Sequence, residues 1–510
     1  MLDGNSVEQL IDGNLCSIGN PSYFIKSFIE EEAGTFLILF DQGKLKRYAY
    51  DPNISSVPEN CLKIYGLKEN VTLKQAISQF QINDPSVYIE YEIGMGSSSD
   101  ITYEDAIQNL NKKLLSDDCP DIILLDDLPM DTYAKDGVLA DLSEYKANFN
   151  PDNAILTNIT EGFATEKGLF VVPVRYSLPV LVTYKDKINQ IKNNATLADM
   201  VEEMYEKNPE KQVMGLYTPE EVLELTLMIE ASNFDKDDQF EKEKCKEMLT
   251  QAKRIYNVML QTMTPQEIEE QINNMEYSFA HGISNKWFFQ ASGQAVDVLA
   301  GSKSIAAGLS FGLSFDMNTI FTVPRSDDTY TYRLGFYEGD THYVPSCMLG
   351  VTANSTHKDI AANFIATALS LDVQDVDMSD GLPVNTKSLQ KNYDMGLDET
   401  AISGSLGISQ EGSMEPFMLE IKYPNKEQST QMDAYLKSLD TPFVMDETMK
   451  DTILEIGSSA LTGGISIDEA EEIDAKCVFV LQNRILSAIL LSRVIKKDFN
   501  DFYHEKRRRE

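Results

Sequence analysis

From residue 62 onward, apolar positions alternate between short continuous runs and one-sided helical faces. LKIYGL at 62–67 reads as a strand, and VTLKQAISQF at 71–80 places Leu73, Ala76, Ile77 and Phe80 along one face of a helix. Thr72 and Gln75 have the spacing of a capping box for that helix. VYIEYEI at 87–93 reads as a second strand; after it Thr102 and Asp105 cap a helix that turns Ala106, Ile107, Leu110 and Leu114 inward. DIILLD at 121–126 follows as a third strand. Strand, helix, strand, helix, strand with short links predicts an α/β class with a parallel sheet covered by helices. Polar residues just past the carboxyl end of such a strand sit at the crevice where open α/β sheets bind ligands, so Asp126 and Asp127 are the first candidate site residues.

Before Pro58 the pattern differs. TFLILFDQGKLKRYAYD alternates apolar and polar positions around Asp41-Gln42-Gly43 and predicts a β-hairpin, and Asp12-Gly13-Asn14-Leu15 resembles the same turn and strand start. Two hairpins are marginal alone, so residues 1–60 are expected to be a β-rich remnant of a larger module such as a propeller blade. FVVPVRYSLPVLVTY at 170–184 is a long β-rich run interrupted by Pro173 and Pro179, expected to cross between two lobes. A mostly helical, acidic stretch spans 196–278, an amphipathic helix lies at 357–371, and Ser466 with Glu469 caps a last helix running through Ile473, Cys477 and Leu481.

Length adds that 510 residues should form two to four domains. The net charge of −37 argues against a broad nucleic-acid surface, because phosphate contacts need a positive field. The exception is the basic run Lys506 to Arg509, read as a solvated tail. Six cysteines without a C-x-x-C pair and four histidines without H-E-x-x-H argue against a zinc or iron site. With no Walker A sequence and no G-x-G-x-x-G opening a helix, no cofactor is expected.

Three readings of Asp126, Asp127 and Asp131 stay open on the residues alone: an acid pair for glycoside hydrolysis, a solvated turn, or ligand hydrogen bonding. Gly308-Leu309-Ser310-Phe311-Gly312 matches G-x-S-x-G, but a nucleophile elbow needs a helix after the serine. FGLSFDMNTIFTVP at 311–324 reads as strand, so Ser310 and Phe311 are assigned to a cleft or turn segment instead. Trp287, Tyr176, Tyr184, Phe311 and Phe315 fall in segments expected to border the crevice, where aromatic faces suit the apolar faces of sugar rings.

One segment carries a family resemblance. CPDIILLDDLPMDTYAKDGVLADLSEY at 119–145 resembles the "G-PDI" strand and "Y-A-x-x-G-x-L-x-D-L" helix of family 1 extracellular solute-binding proteins, with Tyr133, Ala134, Gly137, Leu139, Asp141 and Leu142 in place. Cys119 stands where the family has glycine. Pro173 to Tyr184 resembles the family's crossover strand, and Leu349 to Ser355 with His357 to Phe364 is similar to its "G-I-S-x-x-S" strand and following helix. Gly381 to Asn385 looks like the "G-x-P-x-N" turn of a late hinge crossing, and Leu461-Thr462-Gly463 with Ser466 to Ala470 resembles the closing helix. The resemblance covers about 62 to 485.

It implies an α/β fold of the periplasmic-binding-protein-like type II, with two lobes joined by hinge crossings, preceded by the β-rich segment. The lobes would be 61–173 plus 349–381 and 174–348 plus 382–485, with 486–510 a helix end and basic tail. The implied function is non-enzymatic: capture of a carbohydrate or related polyol outside the cytoplasm and delivery to ABC permease subunits, by a monomer expected to be lipid-anchored in its full-length form. Asp126, Asp127, Tyr176, Ser177, Trp287, Ser310, Phe311 and Asn385 are the implied ligand contacts. Where maltodextrin-type relatives carry a sugar-contacting tryptophan and aspartate, this chain has Leu125 and Leu128, which argues against a maltose-like ligand. MLDGNSVEQLIDGNLCSI is not a secretory signal and Cys61 is not in a lipobox, so the chain is read as the C-terminal part of a longer surface lipoprotein or one split from its export signal. The alternatives are a glycoside-active enzyme using cleft carboxylates and a degenerate surface module that no longer binds.

Overall fold

In a computed structural model the described residues are 17–470, apart from 22, 33, 50–59, 97–100, 217, 231–234, 237–238, 241, 270–290, 301–305, 409–415 and 446. The turn proposed at Asp12 to Leu15, Trp287, and the helix through Ile473, Cys477 and Leu481 lie outside them.

The N-terminal hairpin forms with one strand more than expected. β1 (Ile25–Glu32), β2 (Thr35–Phe40) and β3 (Leu45–Ala49) make a three-stranded antiparallel sheet, separate from the main one. Ile38 and Phe40 are buried in it, while all of β1 is exposed.

The main sheet has nine strands and begins with the predicted alternation. β4 (Asn60–Gly66), α1 (Val71–Asn83), β5 (Val87–Ile93), α2 (Tyr103–Leu114) and β6 (Ile122–Leu124) follow in order, and β4 pairs in parallel with both β5 and β6. Leu73, Ala76, Ile77 and Phe80 of α1 are buried as the periodicity requires. The cap of α1 is a correction: the side chain of Asn70, not Thr72, accepts from the Leu73 N–H, because the Thr72 hydroxyl is taken by Asp380 at 2.7 Å. Thr102 does cap α2, accepting from the Asp105 N–H.

β7 (Val172–Tyr184) and the strand His342–Val351 are the two long strands at the centre, antiparallel to each other. Strand order is Ala307–Phe311, β7, His342–Val351, β6, β4, β5, with Tyr330–Leu334 and Leu382–Pro383 also on β7 and Thr441–Pro442 on the start of His342–Val351. The two prolines of β7 therefore sit in a central strand, which works because its length is divided among several partners: Pro173 lies opposite Met348 and Pro179 opposite Ser310.

The reading of 311–324 as strand is also corrected. Ser314–Ser326 is a helix, because Met317, Ile320 and Phe321 share the i, i+3, i+4 spacing of one buried face, and the Thr319 and Thr322 hydroxyls bond back to Phe315 O and Asn318 O. Helices Asn194–Lys207, Pro219–Glu230, Lys242–Thr262 and Glu447–Thr462 pack into a separate apolar cluster beside the far end of β7.

Candidate functional site

The strand order fixes where a crevice must open. β5 lies on one side of β4 and β6 on the other, so the chain reverses its winding direction between β4 and β6, and their carboxyl ends diverge. A cleft of about 350 Å³ occupies this place. One wall is Lys68, Glu69 and Asn70 after β4, together with Leu124, Asp126 and Asp127 at the end of β6. Val344, Pro345, Ser346 and Met348 of the strand His342–Val351 and the neighbouring Asp380 form the floor. Glu224, Phe443, Val444, Met445, Lys450, Asp451 and Leu454 close the opposite wall from the helices Pro219–Glu230 and Glu447–Thr462 and the segment between Pro442 and the latter.

Asp126 is half-buried and both of its oxygens are engaged by backbone. Oδ1 accepts from the Cys347 N–H at 2.8 Å and Oδ2 from the Met348 N–H at 2.7 Å. Burial pushes its carboxyl up to about 7; the Met348 N–H opposes this and the negative charge of Asp127 adds to it. Asp127 has φ +61°, a left-handed conformation that aspartate tolerates better than most residues, and it turns the chain from β6 toward α3 (Met130–Lys135). Its carboxylate accepts from Lys68 Nζ at 2.8 Å and its carbonyl from the Tyr103 hydroxyl at 2.9 Å.

Beneath the floor, Arg175 of β7 is fully buried. Its Nε donates to Thr72 Oγ1 at 3.1 Å and its Nη2 to the carbonyls of Val373 and Val376 at 3.1 and 2.9 Å. Thr72 donates in turn to Asp380, through its N–H at 3.2 Å and its hydroxyl at 2.7 Å, and the Ser346 hydroxyl donates to Asp380 O. Burial lowers the Arg175 pKa, and the charge of Asp380 opposes that shift. Gly381 is required beside this network: its φ is +147°, and a Cβ there would meet Arg175 Cβ at 2.8 Å and Tyr176 N at 2.9 Å.

Of the expected contacts, the structure brings Asp126 and Asp127 to the cleft. Tyr176, Ser177 and Phe311 do not line it; they are fully buried on the inner strands, because β7 is covered on both faces. Asn385 is buried as well, and its side chain accepts from the Lys387 N–H and donates to Leu369 O, capping the helix Thr386–Met395. Ser310 is the fourth of the five residues of the strand Ala307–Phe311 and still faces Pro179 in the ladder; a helix does follow, from Ser314, but Ser310 itself is strand and not the turn residue that an elbow demands. The described histidines are committed elsewhere: His342 is hydrogen-bonded to Asp340 and His357 to Asp121. Among the described residues no group of His, Cys, Asp and Glu is placed to hold a metal ion.

Sequence reading missed the opposite wall. Phe443, the one aromatic among the described lining residues, follows Thr441 and Pro442 in a short apolar run; it is 9% exposed and packed in the helical apolar cluster, and Lys450 and Asp451 are the fourth and fifth residues of the helix behind it. The signal was TPFVM at 441–445, an apolar run too short to be told from core.

A crevice at a switch point, floored by a strand that also serves the opposite wall, is the arrangement of a protein that holds a small solute between two walls. The model of the bacterial extracellular solute-binding proteins matches residues 97–395, more than half of the chain, and the protein belongs to that family. Its fold is accordingly of the periplasmic-binding-protein-like kind. No curated protein matches the chain. Solved structures that resemble it include an extracellular solute-binding protein of family 1 from Alicyclobacillus acidocaldarius, with 13% identity and a TM-score of 0.47 over 84% of this chain and 100% of that one. An ABC substrate-binding protein from Listeria monocytogenes in complex with cycloalternan has 14% identity and a TM-score of 0.47 over 83% and 99%. The galacto-N-biose/lacto-N-biose I-binding protein of an ABC transporter from Bifidobacterium longum, in complex with lacto-N-biose, has 11% identity and a TM-score of 0.46 over 85% and 98%. The ligands named are those of the proteins named.

Proposed function

We propose that the protein captures a carbohydrate or related polyol in this cleft outside the cytoplasm and hands it to the permease subunits of an ABC importer. The observation that carries the reading is the cleft itself: about 350 Å³, at the low end of the size for small-molecule sites, with lining contributed from both sides of the crossing strands. Residues 61–173 plus 349–381 act as one lobe and 174–348 plus 382–485 as the other, hinged at β7, His342–Val351 and Leu382–Pro383. Phe443, 9% exposed, presents the apolar edge that reaches the cleft to a sugar ring, while Asp127, Lys68, Glu224, Lys450 and Asp451 line it with hydrogen-bonding groups for hydroxyls. The role is binding and release, with closure of the lobes replacing covalent chemistry, by a monomer acting at the cell surface.

Thermal unfolding against a panel of mono- and oligosaccharides tests this. A sugar that binds the folded state alone, present at ~100 times its dissociation constant, adds about 2.7 kcal/mol of stability and raises the unfolding midpoint. A flat response to every sugar, with a rise on amino acids or peptides instead, removes the carbohydrate reading.

A further inference from the structure

We infer that Asp126 is a positioning residue that couples the cleft to the hinge: its carboxylate is the anion around which the strand His342–Val351 turns at Cys347 and Met348, and the same carboxylate lines the solute's cleft. The inference rests on the reading that the lobes close on a solute, and names how that closure is set.

Residues Leu349, Gly350 and Val351 pair with Leu124, Ile123 and Ile122 of β6, and one residue further along the Leu125 N–H donates to Met348 O at 2.7 Å. There the backbone ladder to β6 ends. Cys347, fully buried, takes φ +48°, a left-handed conformation that a side-chain-bearing residue keeps only where its surroundings impose it. Two successive N–H groups around such a residue form a concavity for an anion. Here that anion is supplied from β6, with the Cys347 and Met348 N–H groups at 2.8 and 2.7 Å from the two oxygens of Asp126. The strand they belong to forms the floor from Val344 to Met348, pairing with β6 of one wall at its far end and with Thr441–Pro442 of the other at its start, so its conformation at Cys347 sets the angle between the two sides.

A carboxylate has about four acceptor sites, and the two N–H groups use two. A hydroxyl of a bound solute that donates to a remaining site favours the ionised carboxylate, and so favours the turn at Cys347. Protonation does the reverse, because a carboxyl O–H cannot accept where an N–H points at it. The groups facing this carboxyl are Asp127 beside it, Asp380 and Arg175 under the floor, Lys68 after β4, Tyr91 on β5 and the Cys347 thiol, with Glu224, Lys450 and Asp451 across the cleft. Burial and the charges of Asp127 and Asp380 hold its protonation midpoint at about 7, within reach of ordinary changes in surface pH.

The test is the distance between the two sides in ligand-free, full-length protein, read by electron–electron double resonance from spin labels placed bioorthogonally at the exposed Lys112 and Glu206. Between about pH 5.5 and about pH 8.5 the wild-type distance distribution should shift, whereas Asp126→Asn should give one distribution at both pH values. Asp127→Asn, at a half-exposed turn where asparagine fits the left-handed backbone, should move the wild-type midpoint to lower pH by roughly half a unit or more, because it removes a neighbouring negative charge. If Asp126→Asn does not fold, the Asp127→Asn midpoint decides alone. A wild-type distribution that does not respond to pH, a response that survives in Asp126→Asn, or an unmoved midpoint in Asp127→Asn overturns the inference. Since no solute is present, the result is separate from the sugar panel: silence there with a pH-dependent distance removes the carbohydrate and leaves the hinge.

Discussion

β7 is buried over 12 of its 13 residues, while all eight residues of β1 are exposed. Composition separates them in part, since β1 (IKSFIEEE) carries four charged residues among its eight and β7 (VPVRYSLPVLVTY) one among its thirteen. Partners complete the separation. β7 is bonded along its length by four other strands and is anchored underneath by Arg175, Thr72 and Asp380. In the N-terminal sheet, Phe28, Ile29, Leu39 and Leu45 remain exposed, and among the described residues the polar ties are at its margins, such as Arg47 to Glu31 and Lys44 to Tyr23. The central strands thus carry the stability that a cleft between two walls needs, whereas the small sheet contributes little to it.

The contrast can be broken most severely at Arg175. Replacing it with methionine leaves the carbonyls of Val373 and Val376 without their donor and Asp380 without its cation, and should cost about 3–5 kcal/mol in denaturant-induced unfolding. A loss below about 1 kcal/mol would show that the buried guanidinium is dispensable to the crossing. Leu62→Ala, at a fully buried position of β4, should cost a comparable 2–5 kcal/mol, roughly, by opening a cavity beside α1.

A smaller effect is expected at Asp126. Its folded-state pKa is raised from the ordinary carboxylate value to about 7, so its contribution to stability is complete at low pH and is lost as pH rises through about 7. The fall in unfolding midpoint between about pH 5 and about pH 8 should therefore be steeper in the wild type than in Asp126→Asn, and equal slopes would contradict the raised value. The smallest change belongs to the N-terminal sheet. Ile29→Thr or Leu45→Thr should alter stability by no more than about 0.5 kcal/mol, and a larger loss would mean that this face is covered in the folded protein.

Much of the architecture was legible because periodicity is local. The β4-α1-β5-α2-β6 alternation, the long strand β7 and the helices from 194 to 262 all appear where apolar spacing puts them. Errors fell where a distant partner decides. Thr72 and Gln75 have capping-box spacing, but Asp380, 308 residues away, claims the Thr72 hydroxyl and Asn70 caps instead. Asp126 was recognisable as a strand-end residue at a crevice, yet the N–H groups it holds lie 221 and 222 residues later. Tyr176 and Phe311 looked like sugar platforms since aromatic residues on border segments carry no mark of which way they face. The reading of 311–324 as strand overlooks the spacing of Met317, Ile320 and Phe321, which describes a helical face.

The central claim is that a carbohydrate is held between two walls, one ending in Asp127 and the other carrying Phe443. Isothermal titration of the full chain with the sugar that gives the largest thermal shift tests it directly, in the wild type, Asp127→Ala and Phe443→Ala. Saturable 1:1 binding, weakened roughly tenfold or more by each substitution, is the predicted result, corresponding to about 1.4 kcal/mol or more from each wall. Binding that neither substitution weakens would place the sugar elsewhere and contradict the account.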